Sequence, residues 1–254
     1  MLLELMTWFC GLMLLMKKSI KTSAIADIST TNYGDVEDGD AVSAWKDVNV
    51  QLVRKVEALA VTNDSYRPTY EEDGINGLPS VYFNGDFLQS TDQIPLTAGD
   101  DSYTLIIAFQ ATALVGSGDI MFAQITAAES GTNNTAGVYR RSGFGYWSAN
   151  NEYVPMTLND YKPHITIIKV NNAQSNNISV YLDSNSPTTG ATSNPAGANL
   201  SADKFIIGTY ATANTNYTFD GYISEIIIYD RDLKTSEIES VNAYLSKKYN
   251  ILLS

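Results

Sequence analysis

The residues best suited to chemistry in this sequence are aromatic and amide side chains rather than a nucleophile and its base. Tyrosine and tryptophan present flat rings on which a sugar ring can stack, and asparagine amides can hydrogen-bond to its hydroxyl groups. One short stretch combines both types, and its predicted ligand-binding residues are Tyr146, Trp147, Asn150, Asn151 and Tyr153. Aromatic residues also fill sandwich cores and asparagines also fill loops, so packing is the competing interpretation.

An acidic turn near the start of the chain is a candidate cation site. The three predicted metal-binding residues, Asp35, Asp38 and Asp40, lie around Gly34 and Gly39. Hard cations such as Ca²⁺ bind several carboxylate and carbonyl oxygens on a tight loop, so calcium is the cofactor that this turn suggests. The stretch lacks the remaining positions of an EF-hand loop, including its distal glutamate. A solvated acidic turn is therefore the competing interpretation.

The sequence offers little for catalysis. The single histidine, His164, lies inside a predicted strand, which favours a structural role. No Gly-x-Ser-x-Gly elbow, phosphate-binding loop, zinc spacing or dinucleotide fingerprint is present. Glycoside hydrolysis needs two carboxylates about 5–10 Å apart, and no acid–x–acid run occurs in the predicted inner strands. We therefore predict no catalytic residues, with a glycan hydrolase or lyase as the alternative.

Short strands separated by polar turns must hold these residues in place. The clearest strand is Lys162–Val170, where polar and apolar residues alternate in part and β-branched residues dominate. Similar runs recur along the chain with no alternation of strands and helices, which indicates an all-β, antiparallel two-sheet sandwich. The composition agrees, because only 17% of residues are charged while Asn, Ser, Thr and Gly are abundant.

The C-terminal part reads as a buried strand followed by an amphipathic helix. Ile223–Tyr229 is β-branched and aromatic without a breaker, which is typical of a strand buried on both faces. Apolar residues then recur at helical spacing over Thr235–Lys248, and Ser236 with Glu239 forms a capping-box pattern. A helix that follows so many strands is expected to lay its apolar face on a sheet.

Net charge excludes one class of partner. The chain carries 28 acidic and 16 basic residues, a net charge of −12, whereas nucleic-acid binding needs clustered lysine and arginine. A single cysteine, Cys10, rules out an internal disulfide, although a sandwich of this size needs none. The length of 254 residues suits one sandwich domain.

Three sequence blocks resemble a known fold family. The last contains Phe219-Asp-Gly221, Ile223-Ser-Glu225 and Tyr244-Leu-Ser-Lys-Lys-Tyr249, and upstream blocks are Val42-Ser-Ala-Trp45 and Arg67-Pro-Thr-Tyr70. Together they resemble the concanavalin A-like, or laminin-G-like, jelly-roll domains of bacterial and phage surface proteins. The resemblance implies a jelly roll over residues 24–254. It also implies a non-catalytic module that binds glycan or protein outside the cell, on a cell surface, virion or filament.

Residues 1–23 form an apolar N-terminal segment with several open interpretations. Met1–Met16 contains one acidic residue, Glu4, and lysines follow it, which is the reverse of a secretory signal. Leu2-Leu-Glu4-Leu-Met6 is similar to the start of a type IV pilin-like helix. The segment is otherwise expected to anchor the chain or to pack in an assembly, with Leu2–Leu15 as the predicted contact of a homo-oligomer or larger assembly.

Overall fold

Two antiparallel β-sheets and a C-terminal helix make up the part of the chain that the structure describes. The computed structural model describes residues 9–14, 20–22, 34–46, 57–59, 66–90, 102–113, 119–125, 136–140, 144–148, 152–156, 158, 160–171, 178–190, 204–209 and 217–254. The predicted all-β sandwich with a closing helix is confirmed.

The strands are mostly short. In chain order they are β1 (Phe9–Leu14), β2 (Ile20–Lys21), β3 (Ala44–Lys46), β4 (Glu57–Leu59), β5 (Thr69–Ile75), β6 (Leu78–Asn84), β7 (Leu88–Ser90), β8 (Tyr103–Ala111), β9 (Asp119–Ile125), β10 (Ala136–Arg140), β11 (Phe144–Ser148), β12 (Glu152–Met156), β13 (Pro163–Val170), β14 (Ile178–Leu182), β15 (Thr188–Gly190), β16 (Lys204–Ile207) and β17 (Asp220–Tyr229). The helix α1 spans Thr235–Tyr249. The predicted strand at 162–170 and the predicted helix at 235–248 each match to within one residue.

The first sheet has the strand order β15-β14-β13-β8-β17-β6-β5. Its central strand, β17, pairs with β8 along nearly its whole length. On its other edge, β6 pairs with residues 220–223 and β1 pairs with residues 225–229. Strand β1 therefore pairs with the part of β17 that lies beyond the end of its pairing with β6.

The N-terminal segment accordingly takes part in the sandwich. Phe9–Leu14 is a strand, so the pilin-like helix does not hold for these six residues. Ile20–Lys21 joins the second sheet through β3. Residues 1–8 and 15–19 lie outside the described residues, and an assembly or anchoring role for Leu2–Leu15 stays a prediction. Within the described part of the chain, no helix has the length and apolar character needed to cross a bilayer.

The second sheet has the order β12-β11-β10-β9-β16-β7-β4-β3-β2 and packs on the first through an inter-sheet core. Trp45 of β3 is fully buried there. Phe122 and Phe205, on neighbouring strands of the second sheet, stack with ring centroids 5.3 Å apart. From the first sheet, Phe83 and Phe109 point into the same layer. Strands β6, β8 and β16 supply this core from alternate residues, as the strand period of two requires, whereas β9 supplies the adjacent residues Met121 and Phe122.

Helix α1 covers the other face of the first sheet and creates a second, helix-side core. Ile238, Val241 and Leu245 of the helix pack against buried isoleucines of β8, β13 and β17. Both faces of these three strands are therefore buried, which explains their long apolar runs. The N-cap of the helix, Lys234, lies two residues before the Ser236 of the predicted capping box. The Glu237 carboxylate, not that of Glu239, accepts the backbone N–H of Lys234 at 2.8 Å.

Candidate functional site

The strand register separates the predicted aromatic ligand-binding residues into two groups. Trp147 on β11 lies directly opposite Gly137 on β10 and Tyr153 on β12. Tyr146 lies opposite Val154, which is buried in the inter-sheet core. Neighbouring residues of a strand belong to opposite rows of a sheet, so Tyr146 shares its row with Val154, whereas Trp147 and Tyr153 share the other row, here called the Trp147 row. The predicted residues Asn150 and Asn151 lie outside the described residues.

The Trp147 row extends across the second sheet. From Trp147 it continues through Gly137 to Ala123 on β9 and then to Ile206 on β16, which is fully buried. The next two positions of the row after Trp147 are therefore a glycine and an alanine. This register makes Trp147 and Tyr153 the pair that could form a stacking surface.

Two carboxylates of the acidic turn accept hydrogen bonds from backbone N–H groups. Asp38 accepts the backbone N–H of Glu72 at 2.8 Å, and Asp40 accepts that of Glu37 at 2.9 Å. Among the described residues, no three His, Cys, Asp or Glu side chains form a group that could hold a metal ion. Two of the three predicted metal-binding carboxylates thus stabilise the turn, and calcium binding by Asp35, Asp38 and Asp40 stays a prediction.

His164 lies between two carboxylates at the start of β13. Its Nδ1 is 2.5 Å from Asp183 Oδ2, and its Nε2 is 2.7 Å from Asp160 Oδ1. A carboxylate only accepts hydrogen bonds, so two such partners require both ring nitrogens to carry protons. Burial lowers the pKa of His164, but the hydrogen bonds and charges of Asp183 and Asp160 outweigh it and raise the pKa above 6.5. The ring is therefore an imidazolium held between two loops.

The loop that carries Asp183 is fixed from several sides. Asp183 Oδ1 accepts the backbone N–H of Ile165 at 2.7 Å. The backbone N–H of Ser254 donates to the Asp183 carbonyl at 2.6 Å, and Asn242 of α1 donates to the Ser184 carbonyl at 2.8 Å. The histidine bridge thus ties the segment before β13 to a turn that already contacts the helix and the C-terminal tail.

A second buried polar group lies beneath the end of the helix. Glu225 is only 1% exposed, and its Oε2 accepts from Lys248 Nζ at 2.7 Å and from Tyr249 Oη at 2.9 Å. Burial raises the pKa of Glu225, an effect that the charge of Lys248 and the two hydrogen bonds partly offset. The other carboxylate oxygen finds no hydrogen-bond partner among the residues that the structure describes. This cluster fastens α1 to β17, which is a structural role.

Two aspartates interact at the end of the sandwich where β6 stops and β17 begins. Burial raises the pKa of Asp86 to about 6, the hydrogen bond from the Asn84 backbone opposes this, and the charge of Asp220 adds to it. Burial also raises the pKa of Asp220. Local sequence patterns do not indicate this pair, because Asp86 lies in the turn after β6 and Asp220 lies at the start of β17, far away in the chain.

A row of half-buried residues crosses the first sheet beyond the end of the helix. Register pairs join Tyr82 of β6 to Tyr222 of β17, and Tyr222 to Gln110 of β8. The two tyrosine rings lie with centroids 4.9 Å apart at an interplanar angle of 41°. Glu71 of β5 is near enough for its charge to contribute, after burial, to a raised pKa of Tyr222. Aromatic faces and polar groups therefore meet on this surface.

Comparison with solved structures identifies the architecture. Domain 4 of AbnA, a GH43 extracellular arabinanase from Geobacillus stearothermophilus in complex with arabinotriose, is 14% identical with a TM-score of 0.56 and matches over 81% of this chain and 100% of that one. The botulinum neurotoxin serotype D binding domain is 11% identical with a TM-score of 0.57, covering 96% of this chain and 52% of that one. The shared feature is the β-sandwich fold.

A longer protein contains a similar sandwich. Trypanosoma rangeli sialidase is 17% identical with a TM-score of 0.50, and the match covers 84% of this chain but 32% of the sialidase. This chain thus spans about half of the matched neurotoxin domain and about a third of the sialidase. No protein-family model and no curated protein matches the chain.

Proposed function

We propose that this chain is a non-catalytic recognition module that binds glycans through the face of its second sheet that carries Trp147 and Tyr153. The observation that carries the proposal is the register that sets Trp147 directly opposite Tyr153, beside the position of Gly137. Two aromatic residues at adjoining positions of a sheet suit the apolar face of a sugar ring, and the amides of Asn150 and Asn151 would supply hydrogen bonds to its hydroxyls.

The fold and the charge support this proposal. The arabinanase domain that matches over its full length has arabinotriose bound, and its sandwich shares the architecture described above. The net charge of −12 disfavours strongly anionic ligands and is compatible with neutral sugars. The proposed setting is extracellular, on a cell surface, virion or filament, as the resemblance to concanavalin A-like surface domains implies.

A glycan array tests the proposal. The full chain is screened with and without Ca²⁺, beside the variants Trp147→Ala and Tyr153→Ala. We expect binding to neutral glycans and a loss of about tenfold in affinity for each variant, because each removes one stacking ring. Tyr161→Ala is the control, since Tyr161 is an exposed aromatic residue, 52% accessible, outside the Trp147 row. Array binding that is equal in all four proteins would refute the assignment.

The Asp86–Asp220 pair favours a second candidate function, glycan hydrolysis. A carboxyl group with a pKa near 6 is partly protonated at neutral pH and can serve as a general acid. The test is release of reducing ends from neutral oligosaccharides by the full chain and by Asp86→Asn. Activity that disappears in the variant would support the hydrolase, and no release by either protein would exclude it for those substrates.

A further inference from the structure

We propose that a second saccharide-binding surface lies on the first sheet, where the rings of Tyr82 and Tyr222 form its centre. This surface, here called the tyrosine row, also includes Thr69, Gln110 and Pro163. It is distinct from the Trp147–Tyr153 pair, because the two surfaces lie on different sheets. The inference rests on the proposed glycan-binding function and adds a site to it.

The strand pattern places the tyrosine row on the helix-covered face of the first sheet. Val81 and Phe83, the neighbours of Tyr82, are buried in the inter-sheet core, so Tyr82 belongs to the opposite face. Tyr222 packs against the edge of the helix-side core from the same face. The five residues of the row therefore form one continuous band across five strands.

The helix stops short of this band. Ala108 and Ile165 lie two positions away from Gln110 and Pro163 on the same strands. Both are fully buried and belong to the helix-side core. Gln110 and Pro163, on the next outward positions of the same strands, are only half-buried, as are Tyr82 and Tyr222. The sheet face changes from covered to accessible between these two rows. Two adjacent aromatic residues are thus accessible where the rest of the face is core.

Polar groups border the tyrosines on both sides. Glu71 lies on the helix side, close enough for its charge to affect the titration of Tyr222. Asn84 and Asp220, which pair with each other one row further out, lie on the other side, where Asn84 is exposed and Asp220 is half-buried. Carboxylates and amides around an aromatic centre match a ligand that has an apolar C–H face and a rim of hydroxyl groups.

Charge decides between ligand classes. The tyrosine row and its neighbours Glu71, Asn84 and Asp220 include two acidic residues and no basic residue. Anionic ligands such as sialylated or phosphorylated glycans are therefore disfavoured, and a neutral saccharide is the ligand that these groups fit. An organic cation could also use aromatic faces next to carboxylates, and it serves as a comparison in the test.

Titration of the ¹⁵N-labelled full chain with arabinotriose, followed by NMR, tests the inference. We expect saturable shifts at the amides of Tyr82, Gln110 and Tyr222. Tyr82→Ala should weaken that binding about three- to tenfold, whereas Tyr82→Phe, which keeps the ring, should stay within about twofold. Glu71→Gln should weaken it about threefold, and Glu239→Gln, an exposed carboxylate on α1, should leave it unchanged.

Each outcome separates the two proposals. Shifts confined to residues 144–156 would overturn the second surface and leave the proposed function standing. Shifts confined to the tyrosine row would support the second surface and remove the Trp147–Tyr153 site. No shifts anywhere would overturn both for this sugar. If Tyr82→Ala does not fold, an unchanged affinity in Glu71→Gln would overturn the inference. Tighter binding of tetramethylammonium than of arabinotriose at the tyrosine row would also overturn it.

Discussion

Replacing His164 by glutamine should destabilise the protein at acidic pH and have much less effect at alkaline pH. Glutamine keeps a hydrogen-bond donor but cannot carry the charge that Asp160 and Asp183 stabilise. The folded-state pKa of His164 is raised above its ordinary value. The stability that it contributes is therefore full below about pH 6.5 and is lost as pH rises through the raised pKa.

The size of the effect follows from the exposure of the two partners. The Asp183 side chain is 18% exposed, so its charge-assisted hydrogen bond should contribute about 1.5–2 kcal/mol. The Asp160 side chain is 42% exposed, and solvent screening reduces its share to about 0.5 kcal/mol. His164→Gln should then lose about 2 kcal/mol at pH 5, a fall in Tm of about 4–8 °C for a chain of this size.

Thermal unfolding of the wild type and of His164→Gln between pH 5 and pH 9 measures this difference. Lys162→Gln is the control, because Lys162 Nζ is 3.4 Å from the same Asp160 while its side chain is 78% exposed. We expect this control to stay within about 0.5 kcal/mol of the wild type at every pH. A Tm difference for His164→Gln that is the same at pH 5 and pH 9 would refute the imidazolium bridge.

Two further predictions concern the helix and a sheet corner. Lys248→Met should lower the free energy of unfolding by about 2–3 kcal/mol at pH 8, because it leaves the Glu225 carboxylate buried without its cation. The loss should be smaller at pH 5, where the carboxyl group can take up a proton. Urea unfolding at the two pH values measures the difference, and an equal loss at both would contradict the prediction. Gly208→Ala should destabilise by more than about 2 kcal/mol, because φ is +94° and a Cβ would collide with the Asp86 carbonyl and the Phe83 ring. Gly39→Ala, with φ of +83° and open space around it, isolates the backbone strain and should cost about 1 kcal/mol in the same assay.

Local patterns were sufficient to predict the architecture. Alternation and β-branched runs located β13, and helical spacing of apolar residues located α1 to within one residue of its end. The same alternation assigns Tyr146 and Trp147 to different rows of the second sheet. The site predicted at residues 146–153 was grouped by composition and stays a prediction.

Long-range partners could not be predicted, because strand order is not visible in local periodicity. The tyrosine row combines residues from five strands whose order in the sheet differs from their order in the chain. The His164 bridge depends on a turn after β14, and the Glu225 cluster depends on where α1 lies on β17. A lone histidine and a strand glutamate give no sign of such partners until the sheet is assembled.

The pairing of β1 with β17 has a consequence for biosynthesis. Phe9 is matched with Tyr229, so the first of the described strands made by the ribosome must wait for the last before its backbone groups find their sheet partners. An apolar strand in that position is exposed to solvent and to other nascent chains throughout translation. Yield in a cell should therefore depend on how well β1 is shielded during that interval, as well as on the stability of the finished sandwich.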